Sequence, residues 1–214
     1  MRKIQLINGE YYHIYNRGVD KREIFLDEKD YQKFLRSLKE FNNKSYYEER
    51  VKVLEEKKEL SSFLKKLKRI VNIVTYSLLP NHFHLIIKQS TDNGISNFMH
   101  KLGTSFTNYF NKKYNRSGSL FQGSYKLIHI KNNDYLLWLS GYVNGNSEIH
   151  KIANSATYRW SSLKNFLGKG QGEILKDTSI ILSQFKDLQD YKTFMAGVIQ
   201  GSKNRKEMEK YLLE

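Results

Sequence analysis

Cysteine is absent from the 214 residues of the sequence, and proline occurs once. Without cysteine the chain forms no disulfide bond, no thiolate metal site and no cysteine nucleophile. No apolar run approaches the length of a membrane-spanning helix, and residues 1–10 lack the apolar core of a signal peptide. We therefore expect a cytoplasmic protein that has no membrane partner.

Acidic residues are also outnumbered, since 22 Asp and Glu accompany 36 Lys and Arg and leave a net charge of +14. Hydrophobic residues (39%) and aromatic residues (14%) are frequent enough to build a core, which excludes disorder throughout the chain. An excess of positive charge attracts polyanions, and a phosphate backbone is the commonest such partner. The charge favours a nucleic-acid-binding protein over one whose basic surface serves solubility alone.

Hydrophobic periodicity predicts a regular order of secondary structure. Residues 11–17 are rich in aromatic and β-branched residues, which predicts a strand, and a helix follows the N-cap candidate Asp27. Two β-branched runs, 71–79 and 82–88, meet at Pro80-Asn81 and form a hairpin. A second helix, a glycine-bearing loop at 115–124, a strand at 125–130 and a third helix follow. This order predicts an α+β, ferredoxin-like antiparallel sheet with helices on one face.

The remaining segments lie outside this plan. Residues 43–70 are dense in Glu and Lys and carry a thin apolar stripe, which predicts a charged helical insertion. Residues 169–214 have the pattern of a helical C-terminal appendage. We therefore expect a domain at 1–168, interrupted by the insertion, and an appendage at 169–214.

The strand at 82–88 contains two histidines at alternate positions. Because alternate side chains share one face of a strand, His82 and His84 converge on the same side of the sheet. Two imidazoles can hold a divalent metal with open coordination positions, and imidazole also suits zinc or iron. The alternative is a pair of histidines on a solvated sheet face.

The third predicted helix contains Tyr142 and, four residues later, Asn146. Residues four apart lie on one face of a helix, so the amide could add an oxygen ligand beside the phenol. With 15 tyrosines in the chain, spacing by itself does not single out Tyr142 from tyrosines of the core or surface.

Five segments between residues 10 and 168 are together similar to the REP-associated tyrosine transposases, a family within the single-tyrosine HUH transposase superfamily. The segments, in the order of the family, are "YYHIYNRGVDKREIFLDEKD" (11–30), "YSLLPNHFHLIIKQ" (76–89), "NRSGSLFQGSYK" (115–126), "NDYLLWLSGYVNGN" (133–146) and "YRWSSLKNFLG" (158–168). The resemblance implies the HUH endonuclease fold and a catalytic domain at 1–168.

The resemblance also implies roles for individual residues. His82, His84 and Asn146 match the ligands of a Mg²⁺ or Mn²⁺ ion, and Tyr142 matches the catalytic tyrosine. The family usually has His-Leu before that asparagine and Pro after it, whereas this chain has Asn144-Gly145 and Ser147. These departures bear on the geometry of the helix that carries Tyr142.

By resemblance, the reaction cleaves and rejoins single-stranded DNA at hairpin-forming palindromic repeats through a 5′-phosphotyrosine intermediate. The bond energy is retained in that intermediate, and the sequence contains no phosphate-binding Gly-Lys loop, so no nucleotide cofactor is expected. The family implies a monomer or a weak homodimer.

A basic groove with aromatic side chains suits unpaired DNA. The candidates for phosphate contacts are Arg17, Lys112, Lys113, Arg116 and Lys126. Three other functions stay open at this point: a protein that binds hairpin DNA or RNA with little or no cleavage, a metal-dependent phosphodiesterase that uses water, and a basic structural protein. The last leaves the combination of the histidine pair with Tyr142 and Asn146 unexplained.

Overall fold

The computed structural model describes residues 5–42, 69–170, 174–175 and 178–211. The predicted order of strands and helices is confirmed within these ranges. The elements of this part are β1 (Tyr11–Arg17), α1 (Glu28–Glu40), β2 (Val71–Leu79), β3 (His82–Gln89), α2 (Gly94–Lys113), β4 (Lys126–Ile130) and α3 (Asn133–Asn144), with a short 3₁₀ turn at Val19–Lys21. The predicted insertion at 43–70 lies almost wholly outside the described residues.

Four further helices follow α3. They are α4 (Asn146–Ile149), α5 (Leu163–Phe166), α6 (Ser179–Leu182) and α7 (Leu188–Tyr211). The helical character expected for the C-terminal region is therefore present, while the division of the chain at residue 168 stays a prediction. Within the described ranges, no helix combines the length and apolar character that crossing a bilayer requires.

The four strands form one antiparallel sheet in the order β2-β3-β1-β4. The hairpin between β2 and β3 turns at Pro80-Asn81 as predicted, and the Pro80 carbonyl accepts hydrogen bonds from the backbone of Ile24 and Phe25. The strand order and the two crossing helices confirm the predicted α+β, ferredoxin-like class. β1 lies at the centre, between β3 and β4, so its side chains reach both neighbours.

Helices α1 and α2 cover one face of the sheet. Asp27 caps α1 as predicted. Its carboxylate accepts a hydrogen bond from the Asp30 backbone N–H, and the Asp30 carboxylate accepts one from the Asp27 backbone N–H. Beneath them, Phe34 of α1 and Phe106 of α2 pack edge to face with ring centroids 5.0 Å apart. Phe83 of β3 joins them, 5.0 Å from Phe34. This face is an aromatic core.

The opposite face carries His82 and His84, and α3 lies across it. The apolar side chains Leu136, Leu139 and Val143 of α3 are buried. Because this helix must bury its apolar side, it packs on the sheet and covers part of the histidine face. α7 then packs on the outer side of α3. The histidine side of the sheet is consequently a cleft that α3 partly covers.

Candidate active site

The paired histidines of β3 lie side by side beneath α3. The ring centroids of His82 and His84 are 5.2 Å apart with nearly perpendicular planes, and both side chains are buried. Nδ1 of His82 lies 2.6 Å from Oδ1 of Asn81, an oxygen that can only accept. The Nδ1 atom of His82 therefore donates, and its Nε2 keeps the free lone pair.

A third histidine fixes the orientation of the second. β1 pairs with β3, and Nε2 of His13 lies 2.8 Å from Nδ1 of His84 in a buried hydrogen bond. The bond occupies Nδ1 of His84 and leaves its Nε2 as the coordinating nitrogen. Tyr15 stacks against the same ring, with centroids 5.6 Å apart. Neighbours of this kind hold a metal-binding imidazole in one orientation.

Burial keeps these imidazoles uncharged. It lowers the pKa of His82 to about 3, and nearby positive charges act in the same direction. Burial likewise lowers the pKa of His84 well below its usual value, with the neighbouring histidines contributing. Neutral imidazole is the form that coordinates a metal, so both rings are ready for that role at neutral pH.

Asn146 lies beside His82, where its amide opposes the lowering of the histidine pKa. It opens α4 immediately after the Gly145 that ends α3, so the four-residue spacing from Tyr142 is nearly that of a continuous helix. The side chain is fully buried, and among the described residues neither amide atom has a well-formed hydrogen bond. Apart from its approach to His82, this buried amide has no close polar partner, which leaves its oxygen available to a bound ion.

The donor set fits a divalent cation. In the part of the chain that the structure describes, no three His, Cys, Asp or Glu side chains come together as a metal site. The donors that lie together here are the imidazole nitrogens of His82 and His84 and the amide oxygen of Asn146, with the imidazole of His150 beside His82. Such mixed nitrogen and oxygen donors are compatible with Mn²⁺ and, given further oxygens from substrate or water, with Mg²⁺.

Tyr142 of α3 meets the histidines from above. Its ring lies edge-on to that of His84, with centroids 5.9 Å apart, and stacks on Trp138 from the preceding turn at 5.3 Å. The side chain is half-buried and lines a cleft of about 370 Å³ together with both histidines. The phenol is thus accessible to a substrate in that cleft.

The cleft is strongly basic. Three cationic side chains line it: Arg17 at the end of β1, Lys126 at the start of β4, and Lys206 from α7. Tyr15, Asn16, Gln122 and His150 complete the lining with the residues already described. No Asp or Glu of the described residues takes part, so the field inside favours a phosphate group.

Two comparisons with known proteins give a match. Residues 45–146 match a family described as IS200-like transposases. A solved structure of a REP-associated tyrosine transposase bound to a REP hairpin has a similar fold, with a TM-score of 0.53 and 15% identity. The similarity covers 83% of this chain and 92% of that one. The search of curated proteins gives no significant match.

The basic residues predicted to bind DNA fall into two groups in the structure. Arg17 and Lys126 line the cleft, whereas Lys112, Lys113 and Arg116 do not. Lys113 lies 2.7 Å from carboxylate oxygens of both Asp27 and Asp30 and ties α2 to the start of α1.

The other two residues of the second group also lie away from the cleft. Arg116 donates to the Asn111 side chain and the Ser119 carbonyl, which holds the 115–124 loop. Lys112 is exposed in the last turn of α2.

Sequence reasoning missed three residues of the site. His13 needed the β1–β3 register, although its alternation with Tyr15 along β1 was a usable signal. His150 follows Asn146 by one helical turn, and its ring centroid lies 5.0 Å from that of His82. Nζ of Lys206 donates to Nε2 of His150 at 2.8 Å. Nothing in the local sequence around Lys206 indicates this contact.

The departures from the family motif have a structural reason. Asn144 is fully buried, where its amide donates to the Tyr191 hydroxyl of α7 and accepts from the Ser162 hydroxyl. A Cβ atom on Gly145 would collide with Ile199 of α7. The residues that replace the usual His-Leu therefore allow the C-terminal helix to pack closely on the helix of Tyr142.

Proposed function

We propose that this protein is a metal-dependent nuclease and transposase that cleaves and rejoins single-stranded DNA through a 5′-phosphotyrosine on Tyr142. The observation that carries the proposal is the contact of the Tyr142 ring with His84, inside one basic cleft that His82 also lines. A nucleophile, candidate metal ligands and cations for phosphate are thereby within reach of one substrate group.

His82, His84 and Asn146 would hold Mg²⁺ or Mn²⁺. When bound, the ion supplies Lewis-acid polarisation of the scissile phosphate and stabilises the charge that develops on its non-bridging oxygens. The protein prepares this site by holding His82 through Asn81 and His84 through His13, each at Nδ1, so that both Nε2 atoms are available.

Residues of the chain perform the transfer of the 5′ phosphate from the 3′ oxygen of the DNA to Tyr142. The Tyr142 oxygen attacks phosphorus and loses its proton, the new O–P bond forms, and the bond to the 3′ oxygen breaks. That oxygen takes up a proton and leaves as a free 3′-hydroxyl, while the 5′ phosphate stays on Tyr142. Stacking on Trp138 orients the phenol, and Arg17 and Lys126 balance the phosphate charge.

Rejoining is the same step in reverse. A 3′-hydroxyl attacks the phosphotyrosine, the O–P bond to Tyr142 breaks, and the phenol regains its proton. No nucleotide cofactor is required, since the phosphodiester energy is conserved in the protein–DNA bond. Three observations support a hairpin with single-stranded flanks as the substrate: the match of residues 45–146 to IS200-like transposases, the net charge of +14, and the likeness in fold to a transposase bound to a REP hairpin. A catalytic domain at 1–168 acting as a monomer or weak homodimer completes the proposal.

The test is incubation with labelled, hairpin-bearing single-stranded DNA and Mn²⁺, followed by a denaturing gel. We expect a covalent protein–DNA adduct that requires the metal and disappears in Tyr142→Phe. Tyr135→Phe is the matched control, because Tyr135 lies on the same helix and does not line the cleft. Cleavage without an adduct would instead indicate hydrolysis by water, and binding without cleavage would indicate a binding protein.

A further inference from the structure

A second cavity, of about 420 Å³, lies between α2 and the 117–125 loop, outside the candidate active site. Its floor consists of side chains that also belong to the aromatic core, among them Phe34, Phe83 and Phe121. Met99 and Leu102 of α2 extend the apolar wall. The volume lies in the range of about 300–1,000 Å³ that is usual for small-ligand sites.

The rim of this cavity is polar but carries little charge. Amides, hydroxyls and the imidazole of His100 line it, and no Asp, Glu, Lys or Arg of the described residues does so. The polar lining includes Asn16, Thr104, Thr107, Asn108, Ser119 and Ser124. Such a lining disfavours a phosphate or other ion. A purely apolar ligand is also disfavoured, because it would cover the amides and hydroxyls without hydrogen bonding to them. It suits a flat, neutral group with hydrogen-bonding edges.

The cavity lies next to the candidate active site, on the other side of the 122–126 loop. Asn16 lines both spaces, and its amide donates to the Gly123 carbonyl at 3.1 Å, which fixes the loop between them. Along that loop, Gln122 and Lys126 line the active-site cleft, whereas the residues between them line the second cavity. One short segment of loop therefore contributes side chains to both spaces, which makes them neighbouring sites for successive groups of one polymer.

We infer that this cavity binds an unpaired nucleobase of the DNA strand whose phosphate lies at Tyr142. The inference rests on the proposed function, since it places the same strand in both spaces. Aromatic and apolar walls accept the face of the base, and the polar rim accepts its edge. The cavity thereby selects for a single-stranded flank, because a base within a duplex cannot leave its stack without cost.

Gly103 offers a way to close the cavity without disturbing the fold. It lines the cavity from within α2, and a Cβ atom built on it meets no other heavy atom within 4 Å. Replacing a glycine inside a helix generally raises helix stability. Gly103→Leu should consequently fill space without lowering the melting temperature, and Gly103→Ala is the matched variant that leaves most of the cavity open.

The experiment measures binding of fluorescent hairpin oligonucleotides by anisotropy, in the Tyr142→Phe background so that cleavage does not interfere. Abasic sites are placed one at a time along short single-stranded flanks of each base composition. We expect one flank position at which removal of the base weakens binding about tenfold. Gly103→Leu should weaken binding of the intact strand equally and lose the effect of the abasic site, whereas Gly103→Ala should behave like the parent.

Two results would overturn the inference. One is a uniform response to abasic sites along the flanks; the other is a base dependence that Gly103→Leu leaves unchanged. The abasic scan alone decides the matter if Gly103→Leu folds poorly. The covalent adduct reports separately on the proposed function, because base dependence is measured by binding and requires no cleavage. Absence of any DNA binding would overturn both proposals.

Discussion

The two faces of the central sheet differ in what they bury. Phe83 and His84 are neighbours on β3, yet Phe83 enters the aromatic core under α1 and α2 while His84 enters the basic cleft under α3. On the histidine side the buried groups include the Asn146 amide and the hydroxyls of Thr75 and Ser77, which lack hydrogen-bond partners among the described residues. Aromatic packing dominates one face, and the other gathers buried polar groups around the histidines.

The difference teaches how one strand serves two purposes. Alternation along β3 places every second side chain in the core and the side chains between them in the cleft. The cleft-facing residues can therefore bind ligands without weakening the packing of the core-facing residues. The comparison predicts that substitutions on the two faces will separate stability from activity.

The largest effect on stability is expected for Phe83→Ala. Loss of this buried ring leaves a cavity beside Phe34 and should lower the free energy of unfolding by about 3–5 kcal/mol. His84→Ala, one residue away, should cost about 1–3 kcal/mol through the broken bond to His13, while adduct formation is lost. Urea unfolding without metal measures both. Equal losses of stability at the two positions would contradict the division between the faces.

The packing of α7 on α3 gives the next largest effect. Gly145→Ala should lower the free energy of unfolding by about 1–3 kcal/mol, because the added methyl group collides with Ile199. Gly197→Ala is the control, since a Cβ atom there meets nothing within 4 Å. In a double-mutant cycle, Ile199→Ala should relieve part of the loss. Additive losses would show that the close approach of the two helices is not the cause.

Substitution of His13 tests whether this residue positions His84 for metal binding. His13→Gln removes the imidazole that fixes His84 and should weaken metal affinity by about 10–100-fold. A titration of adduct formation with Mn²⁺ measures this shift. His129→Gln is matched, because His129 lies on the neighbouring strand β4 and stacks on Tyr12 outside the cleft. An unchanged Mn²⁺ dependence in His13→Gln would remove the positioning role of His13.

The smallest effect is expected for a single phosphate contact. Lys126→Ala should lower affinity for single-stranded DNA several-fold and reduce the slope of log affinity against log salt by about 0.7. Lys112→Ala should change neither quantity, since Lys112 lies outside the cleft. Equal changes for the two lysines would mean that diffuse positive charge, and not the cleft, provides the attraction.

Much of the fold was predictable because it depends on local patterns. Aromatic and β-branched content identified β1, and the Pro80-Asn81 turn between two apolar runs identified the β2–β3 hairpin. Alternation gave the shared face of His82 and His84, and the cap at Asp27 marked the start of α1. These features arise from neighbours in sequence. The family resemblance then pointed to Tyr142, which spacing by itself could not distinguish from the other tyrosines.

The rest of the site depends on contacts between distant segments. His13 meets His84 through strand pairing across 71 positions of sequence, and Lys206 reaches His150 only because α7 packs on α3. The sequence around a basic residue also does not show whether its side chain will bind DNA or a carboxylate of the same chain. Lys113 has the composition of a DNA contact, yet it joins Asp27 and Asp30 in the fold.

The close fit of α7 against α3 has a consequence for the order of events in the proposed reaction. Asn144 anchors the helix of Tyr142 to Tyr191, and Gly145 lets Ile199 approach the end of that helix. Lys206 of the same C-terminal helix lines the cleft. Under the proposed function, these contacts would keep a phosphotyrosine beside the cleft. The 3′-hydroxyl that rejoins the strand would then have to reach Tyr142 at that place.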